Sequence, residues 1–274
     1  MSLRIQNNVE AFNAHRQLVS TSDKMSKAME RLSSGYRINK AADDAAALAI
    51  SEKLRAQIGG LQQAQRNAQD AVSLVQTAEG AMSEVHSMLE RVRDLAVQFN
   101  NGTLSASDKA ALTSEVAQLS AEINRIGSQT TFNGIQLLTG GGTITFQIGA
   151  EDGQTLVVNG INLFGAGTTY DIDANIFVSF DAGSASSSQS DAAIENVATA
   201  RSKFGSVQNR LDHALNNLAT YEENLTASES RIKDVDMAAE MVNFTKLQIL
   251  QQAGTSMLAQ ANSSPQSVLS LLRG

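Results

Sequence analysis

The sequence predicts a mainly α protein: a long antiparallel coiled-coil helical rod formed by both chain ends, with a small β-hairpin region in the middle. Three observations carry that prediction. From Leu61 to Phe99, apolar or small residues recur at alternating steps of three and four: Leu61, Ala64, Ala68, Ala71, Val75, Ala78, Met82, Val85, Leu89, Val92, Ala96 and Phe99. The C-terminal half repeats the pattern from Ala193, Val197, Ala200 and Phe204 through Tyr221, Leu225, Ser228, Ile232 and Val235 to Ala239 and Val242. A 3.5-residue period keeps one stripe against a partner helix and imposes a left-handed supercoil. At 1.5 Å per residue the two seams extend roughly 57 and 75 Å, far beyond a mean globular helix of about 11–12 residues. Composition is the third observation. The 274 residues are 42% hydrophobic but only 4% aromatic, without Trp, and their one proline is Pro265. Thick cores lean on aromatics, whereas a helical seam needs mainly Ala, Leu, Val and Met.

The elements follow in order. Residues 1–33 read as one amphipathic helix, in which Ile5, Phe12 and Val19 hold a seven-residue spacing and Leu18, Met25 and Leu32 continue it one position earlier. That break admits two explanations, a local drift of the stripe or a second contacting face. Gly35 is placed to end the helix as a left-handed C-cap. A polar connector, Tyr36 to Asp43, leads to a second helix from about Asp44 to Phe99, closed by the turn Asn100-Asn101-Gly102. Ser105 to Asp108 precede a third helix, about Lys109–Ser128, with Leu112, Val116, Leu119, Ile123 and Ile126 on one face. The period then becomes alternating. Thr143–Ile148 and Thr155–Val158, joined through Glu151-Asp152-Gly153, predict a hairpin at about 140–160. Residues 159–191, rich in Gly, Ser and Asp, read as short strands and loops. The C-terminal seam follows, then an amphipathic helix using Leu247, Leu250, Met257 and Ala261. Pro265 is read as the end of that pattern, with Val268, Leu271 and Leu272 left as an apolar tail.

No reactive constellation emerges. The net charge of −7 argues against a nucleic-acid surface, which requires a basic face. Cysteine is absent, which leaves no disulfide framework and no thiol nucleophile. The opening MSLRIQNNVEAF has no apolar signal-peptide core, and no run of 18 apolar residues predicts a membrane span. His15, His86 and His213 stand apart from one another, without the clustering a metal requires. The adjacent Asp43 and Asp44 do not share a helix face and are read as helix-start caps. Gly140-Gly141-Gly142 lacks the flanking strand and helix of a phosphate loop. Arg31, Arg37, Lys40 and Arg55 lie near Glu52 and the two aspartates, as in a solvated or intersubunit salt-bridge network. No catalytic residue, cofactor or metal is expected.

Long strings then carry a resemblance. RLSSGYRINKAADDAAALAISEKLRAQIGGL (Arg31–Leu61), QDAVSLVQTAEGAMSEVHSMLERVRDLAVQ (Gln69–Gln98) and TTFNGIQLL (Thr130–Leu138) resemble the N-terminal signature of bacterial flagellins. ENLTASESRIKDVDMAAEM (Glu223–Met241) and MLAQANSSPQSVLSLLR (Met257–Arg273) resemble their C-terminal form. The resemblance covers about 1–160 and 188–273. MSLRIQNN is longer than the usual opening, Gly274 extends past the usual Leu-Leu-Arg, and the middle holds only about thirty residues where many flagellins insert outer domains. A short form is expected.

The resemblance implies two layers: inner-core terminal helices at 1–40 plus 236–274, and an outer-core helical segment at 41–235. It implies a structural subunit that polymerises into the flagellar filament for swimming, exported unfolded by the flagellar type III system and extracellular. Its termini are expected to be disordered before assembly, because an amphipathic stripe without a partner gains too little burial to offset ordering entropy. Expected polymerisation residues are Ile5, Phe12, Val19, Leu247, Leu250, Met257, Leu258, Leu271 and Leu272. Expected partners are further copies of the chain, a secretion chaperone at the C-terminal tail, the filament cap, hook–filament junction proteins and the export gate. The alternative is a minor flagellin or a hook–filament junction protein, although junction proteins match weakly over the region where Gln69–Leu138 matches well. A metallopeptidase insertion is excluded by the missing His-Glu-x-x-His pattern. Finally, flagellins that activate the Toll-like flagellin receptor use an Arg and a Leu in the stretch corresponding to Arg91–Gln98 and a Glu on the next helix. The matching positions are Arg91, Leu95 and Glu115. Leu95 adjoins seam residue Ala96, so from sequence it is either an exposed flank or partly buried packing.

Overall fold

A computed structural model describes residues 8–139, 142–163 and 187–273, with side chains as far as residue 263 in the last segment. Its elements are α1 (Val9–Ser34), α2 (Ala45–Phe99), α3 (Ala106–Gln129), β1 (Thr131–Phe132), β2 (Ile135–Gln136), β3 (Thr143–Gln147), β4 (Thr155–Asn159), α4 (Ser187–Lys233) and α5 (Met237–Arg273). The predicted mainly α class, with small antiparallel strand pairs in the middle, is what the chain adopts. Two compact units divide it: Met1–Ala56 with Asn224–Gly274, and Gln57–Glu223.

The second unit is built on the long seam. Every residue of the predicted Leu61–Phe99 stripe is buried. Across it, α4 runs antiparallel and contributes buried Ala193, Val197, Ala200, Phe204 and Leu211. A ladder of polar contacts fixes that register. Arg93 Nε lies 2.6 Å from Asp191, Arg201 lies 3.7 Å from Glu79, and Gln62 Nε2 donates to Glu222 at 2.7 Å. The stripe fades toward the end of the unit, where Val207 and Ala214 are half-buried and Tyr221 is exposed.

The third helix lays Leu112, Val116 and Ile123 into the same core, with Leu119 and Ile126 packed at its margin, as predicted. It begins earlier than Lys109 because Ser105 is its cap. Ser105 Oγ accepts the Asp108 N–H at 3.2 Å, and Asp108 Oδ2 accepts the Ser105 N–H at 3.0 Å, a reciprocal capping box. The β3–β4 hairpin forms where it was predicted, with Thr143 opposite Asn159 and Phe146 opposite Leu156. Its Leu156 and Val158 are buried in the helical core, and Asn67 Nδ2 donates to the Gln147 carbonyl at 2.9 Å. A second hairpin, β1–β2, was not anticipated. Asn133 at φ 49° and Gly134 at φ 79° make the two-residue turn whose twist matches antiparallel strands. The Asn-Gly pair between Phe132 and Ile135 was the signal for it. Residues 164–186, most of the region read as loops, lie outside the described residues.

Because interiors pack closely, the seam is the most sensitive part of this unit. Leu89→Ala is expected to lower stability by about 2–5 kcal/mol. Exposed Val97, on the same helix, is expected to tolerate alanine within about 0.5 kcal/mol. Urea melts of the two variants check the difference, and equal midpoints would break the assignment of the seam as core.

Candidate functional site

The first unit pairs α1 with α5. Asn8 at the start of α1 lies beside Ala261 late in α5, and Gly35 past the end of α1 lies beside Val235 just before α5, so the helices are antiparallel. The covered side of α1 is Ala11, Ala14, Leu18, Thr21, Met25, Ala28 and Leu32; that of α5 is Phe244, Leu247, Gln251, Gly254, Leu258 and Ala261. Both sets keep 3–4 spacing, as an antiparallel coiled-coil seam requires. Gly254 marks a close approach. A Cβ there would sit 3.1 Å from Leu18 Cδ1, tighter than ordinary packing.

This geometry resolves the register break in α1. Leu18, Met25 and Leu32 face α5, whereas Phe12, 70% exposed, and Val19 belong to a second, outward face. The α5 stripe divides in the same way. Leu247 is only 6% exposed and Leu258 is half-buried, so neither lacks a partner within the chain as the sequence reading supposed. Leu250 and Met257 face outward. Val242, 71% exposed, joins Met241, Thr245, Lys246, Ile249 and Leu250 around an open apolar recess of about 510 Å³. Ile5, and the side chains of Leu271 and Leu272, lie outside the described residues.

Two helix boundaries correct the sequence reading. The C-terminal seam was read as continuous through Val242, but α4 ends at Lys233 and α5 begins at Met237. Asp236 Oδ1 accepts the N–H groups of Ala238 at 2.9 Å and Ala239 at 3.1 Å, capping α5 and resetting its face, so Ala239 and Val242 turn outward. The break is tied to the chain leaving α1: Arg37 N–H donates to the Lys233 carbonyl at 2.7 Å, and Val235 N–H donates to the Gly35 carbonyl at 3.0 Å. Gly35, at φ 75°, is the left-handed cap that was expected, with its N–H on the Arg31 carbonyl. The second correction is at Pro265. The helix does not end there but continues to Arg273.

The charged connector behaves as a set of caps and surface pairs. Asp44 Oδ1 accepts the Ala47 N–H at 2.9 Å, and Asp43 Oδ2 accepts those of Lys40 at 3.1 Å and Asn39 at 3.3 Å. Those two backbone donors hold the Asp43 carboxyl below the usual carboxylate range, and the Glu30 carboxylate raises Lys40. Lys233 Nζ lies 3.3 Å from Glu52 and 5.2 Å from the Tyr36 ring centre, a cation–π contact.

In the second unit, Arg91 and Glu115 are joined. Arg91 Nε donates to Glu115 Oε1 at 2.9 Å and Nη2 does so at 2.6 Å, with both side chains about half open to solvent. Leu95 is 0% exposed and packs in the core. Of the two possibilities its place beside Ala96 left open, burial holds. Among the described residues, no group of three His, Asp or Glu side chains is arranged to hold a metal, and no helix is long and apolar enough to cross a membrane.

The family model described as bacterial flagellin N-terminal helical region matches residues 5–143, and the one described as bacterial flagellin C-terminal helical region matches 188–272. The chain belongs to the bacterial flagellin family. It is 48% identical to a flagellin of Halalkalibacterium halodurans over 270 residues, covering 98% of this chain and 99% of the relative. It is 44% identical to the flagellar filament 33 kDa core protein of Treponema phagedenis over 284 residues, covering 98% and 99%. A putative flagellar hook-associated protein from Vibrio parahaemolyticus shares the fold, with a TM-score of 0.61 at 16% identity over 70% of this chain and 100% of that one. This flagellin is a short form with a small middle region, and flagellins are structural proteins.

The Asp43 cap has a defined pH signature. With its folded pKa lowered from 3.8 by backbone donors, folding releases a proton in acid. The contribution is complete above the unfolded value and is lost as pH falls through the folded one. Asp43→Asn keeps an acceptor but cannot titrate. The wild-type advantage over that variant in thermal melting is therefore expected to hold above the ordinary aspartate pKa and to shrink as pH falls below it. An advantage independent of pH would break the assignment.

Proposed function

We propose that this flagellin is the structural subunit of an extracellular bacterial flagellar filament, and that the outward stripes of α1 and α5 are the surfaces through which subunits join. The observation that carries the reading is the double-faced helix pair. One stripe of each helix is covered by the other, while Phe12, Val19, Val242, Ile249, Leu250 and Met257 remain uncovered. Apolar groups arrayed along one pair of helices mark an interaction surface. Packing against the same pair in neighbouring copies supplies the missing partner, and heterologous repetition of such a contact builds a helical filament. Leu271 and Leu272 are assigned to the same contact as the tail of the stripe.

The finer parts of the proposal concern the route to that state. The chain is exported unfolded through the flagellar type III gate, with its terminal helices ordered on joining the filament beneath the cap. Before export a cytoplasmic chaperone covers the amphipathic C-terminal helix, as a groove accepts such a helix. The filament is joined to the hook by junction proteins.

The Arg91–Glu115 pair supports a second proposed contact, with the Toll-like flagellin receptor. Both side chains are reachable, and the pair presents a donor and an acceptor on adjacent helices. Buried Leu95 contributes there by holding α2 in place rather than by touch.

Seeded growth on filament fragments tests the main reading. Val242→Asp and Met257→Asp place a carboxylate in the subunit contact, where an unpaired charge is costly. They are expected to raise the critical concentration at least about 100-fold, a loss of roughly 2.7 kcal/mol, while monomer melts move by less than about 0.5 kcal/mol. Deleting residues 243–274 should give soluble chain without filaments. Normal growth of the deletion would sink the proposal. The receptor contact is tested separately with monomer in a reporter-cell assay. Arg91→Ala and Glu115→Ala should each weaken the response by about 2 kcal/mol in affinity, and equal potency with wild type would reduce the pair to a surface ion pair.

A further inference from the structure

An internal proline leaves the carbonyl four residues earlier without its helical donor, and the ring crowds that carbonyl. In α5 the carbonyl concerned belongs to Ala261, since Pro265 carries no N–H. The helix nevertheless continues to Arg273. The Ala261 carbonyl has found a different donor, Asn8 Nδ2, at 2.7 Å and 253 residues away in sequence.

The other end of that amide is also engaged. Asn8 Oδ1 accepts the Ala11 N–H at 3.0 Å, which makes Asn8 the N-cap of α1. One side chain therefore satisfies an orphan donor at the start of α1 and an orphan acceptor within α5. Asp and Ser cap helices as well as Asn does. Neither combines a carboxamide acceptor with a neutral N–H₂ donor, so the pairing selects Asn among the good caps.

We propose that Asn8 is the positioning residue of filament assembly: by bonding the carbonyl that Pro265 leaves free, it carries α5 past the proline and fixes the register of α1 against α5. Register decides which residues face outward, because a slip along a 3–4 seam rotates the uncovered stripe. The clamp sits at the end of the pair remote from the Gly35–Val235 bonds. The α1–α5 pair is thereby pinned at both ends, and the outward residues are held where a neighbouring copy can meet them. The inference rests on the proposed filament function for its main readout.

A double-variant cycle tests it in the full-length chain. Asn8→Asp keeps the cap acceptor and loses the donor. Pro265→Ala restores an N–H for the Ala261 carbonyl. The critical concentration for seeded growth should rise about tenfold in Asn8→Asp, change little in Pro265→Ala, and return to within about threefold of wild type when both are present. A residue that merely capped α1 would give the same penalty with or without Pro265, and that result would overturn the clamp. So would unchanged growth of Asn8→Asp. Should the wild-type chain grow no filament, the proposed function falls and the clamp is decided by hydrogen exchange in the monomer. Protection of the α5 amides around Ala261 is then expected to drop in Asn8→Asp and recover in the double variant, and equal protection in all four chains overturns it.

Discussion

A helix that carries one apolar stripe needs one partner; a helix that carries two needs two. The fold of this flagellin depends on how that requirement is met in each unit. In the unit spanning Gln57–Glu223, the stripe from Leu61 to Phe99 is enclosed by α3, α4 and the β3–β4 hairpin, and its residues are buried from end to end. In the unit formed by the chain ends, α1 and α5 cover one stripe each and leave the other uncovered. The first arrangement is self-sufficient. The second is complete within the chain only on one side, and the proposed subunit contact rests on that asymmetry.

Composition fits the same division. Ala64, Ala68, Ala71 and Ala78 occupy the seam of α2, and Ala193 and Ala200 answer on α4. Small residues allow helices and hairpin to approach without large aromatic side chains, so a chain with 4% aromatics still builds a continuous core. Polar residues do the aligning. Arg93 with Asp191 and Gln62 with Glu222 are exposed and contribute little to stability individually. Placed along an antiparallel pair, however, they match in only one register.

What could be read from sequence followed how many physical demands each position served. The Leu61–Phe99 seam was legible because one unbroken 3.5 period had one cause, burial on one side. The α1 stripe was harder, since Phe12 and Val19 face outward while Leu18, Met25 and Leu32 face α5, and two overlapping patterns read as one pattern out of register. The end of α4 was hidden because Ile232, Val235, Ala239 and Val242 keep the spacing across the break. Only the capping geometry of Asp236 reveals that the helix starts afresh. At Pro265 the local rule pointed to an end, and a residue more than 250 positions away overrode it. Leu95 adjoins the seam in sequence, and only packing by neighbouring elements decided its burial.

The uncovered stripe also bears on stability. Among the described residues of the unit formed by the chain ends, the buried hydrophobic side chains are few: Ala28, Ile38 and Leu247. Thr21, Ser51 and Lys233 are buried beside them, and polar groups contribute only modest net stabilisation even when bonded. Fixing each residue of such a pair costs on the order of 1–2 kcal/mol in backbone entropy, while each large apolar side chain fully buried returns about 1.5–3 kcal/mol. The α1–α5 pair thus has little buried apolar surface to set against that entropy, in contrast to α2 and its partners. Burying Phe12, Val242, Ile249 and Met257 against further copies shifts that balance, and by mass action the shift grows with subunit concentration. Folding of the ends and growth of a filament then become one equilibrium.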